Sequence, residues 1–331
     1  MSELSDVLDA IDGMAARGEP MALATIIATS GSTYRRAGAR LVIPAEGEPI
    51  GNISGGCLEG DVARIGREVI ASGGSRIVPF DLNADDDAVW GYGLGCNGSI
   101  ELLVEPTAGA IETAAALRSA GGACLVTVLS GPDVGTHRLQ ADSDAITHVA
   151  EVNGERLFVE RMLPPLRLIV CGAGHDAIPL VRQAVELGWR VVVADVRRAL
   201  LTHERFPGAT DFSAVDPAEA ADSLKPEERT AAVLMSHNYL RDIGYLRSFL
   251  DEPLAYLGVL GPRGRTEQML AEISAPERAI ARLHAPAGLD IGADGPEEVA
   301  HSIIAEILAV TRGREGGSLR HRRAPIHQPP M

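Results

Sequence analysis

Apolar residues at Leu4, Val7, Leu8, Ile11, Met14 and Ala15 recur at the i, i+3, i+4, i+7 spacing of one helix face, so residues 2–17 are expected to form an amphipathic helix. Short apolar runs follow at 22–28, 39–43, 77–80 and 100–104, divided by glycine-rich turns and by one helical stretch over about 58–71. Residues 1–106 therefore read as a mixed α+β domain. Between 107 and 163 a helix-like stretch at 108–119 and strand-like runs at 124–129, 146–152 and 156–159 predict a small β subdomain or connector. From Leu166 the rhythm becomes a regular alternation: LRLIVCG, a helix over about 177–187, WRVVVAD, a helix near 217–224, AAVLMS, a helix, then AYLGVLG and further helices. Strand-then-helix units at this spacing predict an α/β fold with a doubly wound parallel sheet over 164–313. Its last helix is announced by Gly295 at the N-cap, Pro296, then Glu297 and Glu298 beside the positive end, with Val299, Ile303, Ile307 and Val310 as its apolar stripe. The tail at 314–331 is rich in Gly, Pro and Arg without apolar periodicity and is expected to be disordered.

Composition narrows the function classes. The chain has 331 residues, 46% hydrophobic and 23% charged, which suits about two folded domains. Its 30 Lys+Arg against 45 Asp+Glu give a net charge of −15, which repels nucleic-acid backbones and anionic lipid. No nucleic-acid or membrane partner is expected. No apolar run approaches the roughly twenty residues of a bilayer span, and the first residues, MSELSDVLDAIDGM, are acidic and amphipathic where a secretory signal is basic and then apolar. A cytoplasmic location is expected. Four cysteines without close pairs make neither a disulfide framework nor a spaced zinc site.

Gly172-Ala173-Gly174-His175-Asp176-Ala177 matches the G-x-G-x-x-[G/A] fingerprint directly after an apolar strand and at the mouth of a helix, with Asp195 ending the next strand. The first glycine permits a tight turn, the second lets backbone approach a phosphate, and Asp195 is placed to accept from a ribose hydroxyl. A Rossmann-like fold follows; NAD(P), another nucleotide, or a fold relic without a ligand all fit the motif. His175 at the helix start, His237 after AAVLM, and Arg263 and Arg265 after YLGVL fall at strand carboxyl ends, where such sheets bind ligands. Helix capping and solvated surface arginines are the plain alternatives.

Ser54-Gly55-Gly56-Cys57-Leu58-Glu59 carries the chain from a strand into a helix with a thiol at its amino end, where partial positive charge favours thiolate. Cys57 is thus a candidate nucleophile, sulfur carrier or soft-metal ligand. Cys96 lies in Gly91-Tyr92-Gly93-Leu94-Gly95-Cys96-Asn97-Gly98, a run flexible enough to curl around a ligand. A small side chain after a turn is the structural alternative for both. Cys124 and Cys171 stand in apolar runs and read as buried small hydrophobes. Ser32 and Arg35, in Gly31-Ser32-Thr33-Tyr34-Arg35-Arg36-Ala37-Gly38, offer a hydroxyl and a guanidinium for an anion, or simply a hairpin end.

Taken together, GSTYRRAGA at 31–39, SGGCLE at 54–59, GLGCNG at 93–98, GAGH at 172–175, ADVR at 194–197, MSHN at 235–238, GVLGPR at 258–263 and HAPAGLDIG at 284–292 resemble the XdhC/CoxI family. These are accessory maturation factors of xanthine dehydrogenase and related molybdenum hydroxylases. The resemblance covers about 1–106 and 166–315. It implies an N-terminal XdhC/CoxI domain and a C-terminal Rossmann-like domain. It also implies a chaperone rather than an enzyme, one that binds the molybdenum cofactor (molybdopterin) while a cysteine desulfurase supplies its sulfido ligand. The cofactor then passes to the apo-xanthine dehydrogenase-type hydroxylase. The resemblance places Cys57 and Cys96 at the molybdenum, with Ser32, Arg35, Gly55, Gly56, Glu59 and Gly95 around the cofactor. In the second domain Gly172, Gly174, His175, Asp195, Arg197, His237 and Arg263 become ligand-binding candidates. The rival reading is an NAD(P)-binding oxidoreductase, for which the sequence offers no evident proton donor. Oligomeric state stays open, a homodimer included.

Overall fold

The computed structural model describes residues 3–82, 98–119, 123–141 and 146–323. The chain divides into two compact units that meet in sequence at Pro164 and Pro165.

The first unit opens with α1 (Glu3–Arg17), whose predicted stripe is buried at Val7, Leu8, Ile11 and Met14. β1 (Met21–Gly31), β2 (Arg40–Pro44), β3 (Ile50–Gly51), α2 (Glu59–Ser72), β4 (Arg76–Asp81) and β5 (Gly98–Glu105) follow. Their strands form an antiparallel sheet in the order β3-β2-β1-β5-β4. Alternate side chains of β1 leave opposite faces of the sheet, so both faces need cover. Ala22, Ala24 and Ile26 pack with Val62, Ile65 and Val69 of α2. Met21 and Leu23 pack with α1 and with Ala110 and Ala114 of α3 (Thr107–Ser119).

β6 (Ala123–Val128), β7 (His137–Ala141), β8 (His148–Val152) and β9 (Glu155–Met162) form a second antiparallel sheet in the order β7-β6-β9-β8. It belongs to the same compact unit. Leu129 and Phe158 share a core with Ile27 and Leu103. His137 Nε2 lies 2.7 Å from Glu105 Oε1, and Arg40 of β2 pairs with Glu160 of β9.

The second unit contains β10 (Arg167–Cys171), α4 (Ala177–Glu186), β11 (Arg190–Ala194), β12 (Asp211–Ser213), α5 (Ala220–Leu224), β13 (Thr230–Leu234), α6 (Tyr239–Phe249), β14 (Tyr256–Val259), α7 (Arg263–Glu272), α8 (Glu277–Ile280), β15 (Leu283–His284) and α9 (Pro296–Thr311). The six strands are parallel in the order β12-β11-β10-β13-β14-β15, a doubly wound sheet whose order reverses between β10 and β13. Strands buried on both faces explain the continuous apolar runs LRLIVC and AAVLM. α4 and α9 cover one face, and α5, α6 and α7 cover the other. The α9 stripe is buried at Ile303 and Ile307, while Val299 and Val310 are only partly covered. Arg263 opens α7, so the PRGR segment that followed the strand in sequence is a helix start. Among the described residues no helix is long and apolar enough to cross a membrane.

Candidate functional site

The Cys57 loop joins β3 to α2. Gly55 (φ +83°) and Gly56 (φ +109°) take left-handed conformations that residues with a Cβ rarely adopt, and these turn the chain back on itself. Glu59 then gathers the loop. Its Oε1 accepts from the Ile53 and Ser54 amides at 3.1 and 2.9 Å, and its Oε2 accepts from the Gly56 amide at 3.0 Å, the Leu58 amide at 3.2 Å and the Ser54 hydroxyl. Ser54 Oγ accepts from the Cys57 and Leu58 amides at 3.1 and 2.9 Å, and Asn52 Oδ1 from the Gly55 amide at 2.9 Å. Every amide from Ile53 to Leu58 is therefore used inside the loop. The loop is a self-satisfied turn that displays a side chain. Burial works against the Glu59 charge, but the Ser54 hydroxyl and the loop amides outweigh it and hold the carboxyl below its ordinary range. Glu59 ties the loop together, and it already occupies the positive end of α2.

Cys57 is half-buried. It lines a cleft of about 20 Å³ with Tyr34, Ile53, Ser54, Leu58, Leu82 and Ile100. That volume holds one water-sized group. Tyr34 brings its ring against Gly55, where an added Cβ would stand 3.4 Å away. Its neighbour Arg35 turns to Glu3 of α1, Nη1 to Oε2 2.6 Å, and Ser32 is exposed. Cys96 and Gly95 lie outside the described residues. Both residues that bracket that stretch are at this end of the sheet: Leu82 lines the cleft, and its amide donates to Gly98 O at 2.9 Å. Cys124 and Cys171 are buried. Among the described residues no group of three or more His, Cys, Asp or Glu could hold a metal.

In the second unit Gly172 has φ +128°, and an added Cβ would sit 2.6 Å from Met235 O and 2.7 Å from Ser236 Cα, so only glycine lets β10 pass the end of β13. The next residue, Ala173, donates its amide to Asp195 Oδ2 at 2.8 Å. Asp195 Oδ1 accepts from the Arg197 amide at 2.8 Å and from Nε at 2.9 Å, while Oδ2 also accepts from Nη2 at 2.6 Å. Burial opposes its charge, yet these donors bring its pKa down to about 2. The ribose acceptor of the sequence reading is thus fully engaged in this arrangement, and Arg197 presents the exposed face.

A carboxyl whose folded pKa lies below its ordinary 3.8 stabilises the fold above that value and loses the contribution as pH falls toward about 2. The shift corresponds to about 2 kcal/mol. Urea unfolding should show Asp195→Asn less stable by about that amount at neutral pH, with the gap to the parent shrinking as pH falls from about 4 toward about 2.

His237 adopts φ +56°, a strained conformation for a non-glycine residue, and its Nε2 lies 2.5 Å from Asp176 Oδ2. His175 is exposed beside it in the fingerprint loop. Asp176 occupied a variable position of the motif, so no sequence signal separated it from its neighbours. Ser236 and Arg265 converge on the buried Asp242, at 2.6 Å each, and Asn238 Oδ1 accepts from the Arg241 amide at 3.1 Å to cap α6. Arg265 is thereby a clamp between α6 and α7, whereas Arg263 stays exposed. His284 and Gly288 of the HAPAGLDIG segment brace the end of the sheet. His284 stacks on Tyr256, and Glu306 accepts from the Tyr256 hydroxyl at 2.6 Å and the Gly288 amide at 2.8 Å.

Comparison with known proteins decides the family. The XdhC Rossmann domain profile matches residues 168–307 and the XdhC and CoxI family profile matches residues 14–81. A Bacillus subtilis (strain 168) protein described as a probable xanthine dehydrogenase subunit is 31% identical over 322 residues, spanning 90% of this chain and 95% of that protein. The chain belongs to the XdhC and CoxI family. The molybdenum cofactor insertion chaperone PaoD of Escherichia coli (strain K12) is 25% identical, spanning 91% of this chain and 86% of its own. A crystal structure of a xanthine dehydrogenase from Bacillus halodurans has a TM-score of 0.80 at 30% identity and covers 96% of this chain and 98% of that one. The Cys57 loop falls inside the XdhC and CoxI match and the fingerprint loop inside the Rossmann match, while Cys96 lies between the two.

Proposed function

We propose that this XdhC/CoxI protein is a maturation factor that takes the molybdenum cofactor as cargo, keeps it during sulfuration by a cysteine desulfurase, and delivers it to a xanthine dehydrogenase-type molybdenum hydroxylase. The observation that carries the reading is the presentation of Cys57. Its thiol is displayed on a turn whose amides and carboxylate are already satisfied, so capture of a soft metal costs little reorganisation. Thiolate is the ligand type that suits molybdenum–sulfur chemistry. Cys57 would hold the molybdenum end at the mouth of this small cleft, with Tyr34 beside it. Cys96 is the second sulfur of this proposal. Family membership and the named chaperone relative support the assignment.

Mass and fluorescence analysis of small molecules released from protein made in a molybdenum-replete host tests it. A pterin released in stoichiometric yield is expected; protein that carries none after such expression overturns the cargo role.

The second unit, in the same proposal, binds a nucleotide across the carboxyl ends of β10 and β13. An NAD(P)-dependent oxidoreductase gains one specific support, the Asp176–His237 pair, an imidazole held by a carboxylate in the arrangement that general acid–base chemistry uses. Oxidation of NADPH or NADH by small aldehydes or ketones would establish that activity, and absence of turnover with either dinucleotide removes it.

A further inference from the structure

The carboxylate at the end of the second strand of a dinucleotide fold ordinarily reads the ribose diol. Here it is closed to that use. Asp195 is 1% exposed, and its oxygens share four donors: the Ala173 amide, the Arg197 amide and two guanidinium nitrogens of Arg197. A diol can reach it only by displacing the guanidinium.

The outward chemistry at this point is cationic. Arg197 spends Nε and Nη2 on Asp195, which leaves the N–H groups of Nη1 for an incoming acceptor, and its side chain is 42% exposed. Arg241 of α6 brings Nη1 to 4.0 Å from Asp195 Oδ1, with 32% of its side chain exposed. Two guanidinium groups around one carboxylate leave a local excess of positive charge, in a chain whose net charge is −15. Asp195 holds the Arg197 fork in place, so little side-chain freedom remains to be lost when an anion arrives.

We infer that the second unit selects a nucleotide bearing an extra phosphate monoester on its ribose, seated on Arg197 and Arg241, over the same nucleotide with a free ribose diol. This rests on the nucleotide-binding reading above and adds its specificity. Arg197 and Arg241 are binding residues in this assignment, and Asp195 is a positioning residue.

Titration of the full chain with NADPH and NADH, followed by nucleotide fluorescence, tests the selection. NADPH should bind at least about tenfold more tightly, the ratio expected from one charge-assisted contact. Adenosine 2′,5′-bisphosphate should compete with NADPH, whereas inorganic phosphate at equal concentration should not; equal competition by phosphate would reduce the site to a general anion patch and overturn the inference. NADH binding as tightly as NADPH sinks the selection and leaves nucleotide binding standing. Failure of both dinucleotides to bind removes both readings. In Arg197→Ser the carboxylate is freed, so NADPH should weaken by about tenfold or more while NADH tightens. Arg241→Ala leaves the Asp195–Arg197 pair in place and should weaken NADPH alone. Parallel loss of both ligands in Arg241→Ala, with unfolding unchanged, would contradict the assignment.

Discussion

Cys57→Ala is expected to reduce pterin retained through purification to a tenth of the parent level or less, with the fold unchanged. The thiol is the soft ligand offered at the mouth of the cleft, and alanine removes one of the two sulfurs that the proposal gives to molybdenum. Stability should move by less than about 1 kcal/mol, because Cys57 is only half-buried and its amide keeps its bond to Ser54 Oγ. Glu59→Gln makes the contrast. Its carboxylate collects the Ile53, Ser54, Gly56 and Leu58 amides and the Ser54 hydroxyl, and a neutral amide cannot accept all of them. That variant should lose thermal stability and cofactor together. Released pterin and a thermal melt, measured on both variants, separate a ligand from its support. Full pterin retention in Cys57→Ala would falsify the ligand role.

The second unit was legible because its strands are buried on both faces and its helices on one, so the switch from continuous to periodic hydrophobicity marks each element. β7, with the sequence HRLQA, is mostly exposed and carries no alternation, and β15 has two residues; neither left a readable pattern. β1 runs to Gly31, past the apolar run, because its exposed end, Thr29, Ser30 and Gly31, pairs with Ile100, Ser99 and Gly98 of β5 rather than packing a core. Motif logic found the Cys57 turn and the fingerprint loop. It did not find that the amides of the turn are consumed, nor that Asp195 is saturated. Those facts depend on which donors a carboxylate meets in three dimensions, and a carboxylate that grips its own backbone is spelled the same way as one that waits for a ligand. Arg40 and Glu160 show the same limit. They stand 120 positions apart, and each alone reads as a surface charge.

That pair gives the largest expected effect on stability. Arg40 and Glu160 form a two-pronged ion pair, with Nη1 3.0 Å from Oε1, and their side chains are 3% and 10% exposed. Arg40 also donates to Gly38 O at 2.7 Å, while its Nε has no partner among the described residues. Glu160→Ala would leave the guanidinium buried with one carbonyl to meet it, at a cost of about 3–5 kcal/mol. Against the roughly 5–15 kcal/mol that stabilises a typical domain, much of the margin goes. The pair itself is close to neutral relative to packed apolar groups, so Arg40→Met combined with Glu160→Met should recover most of the loss. Urea unfolding of Arg40→Met, Glu160→Met and the double closes the cycle. If Glu160→Ala costs less than about 1 kcal/mol, water reaches Arg40 and the pair is not a buried one. The same contact bears on domain organisation: Glu160 neutralises a charge inside the first sheet, and Leu129 and Phe158 cover Ile27 and Leu103. A chain ended after Pro106 would carry Arg40 unpaired and that apolar face uncovered, and it is expected to be insoluble or unfolded where the chain through Pro164 folds.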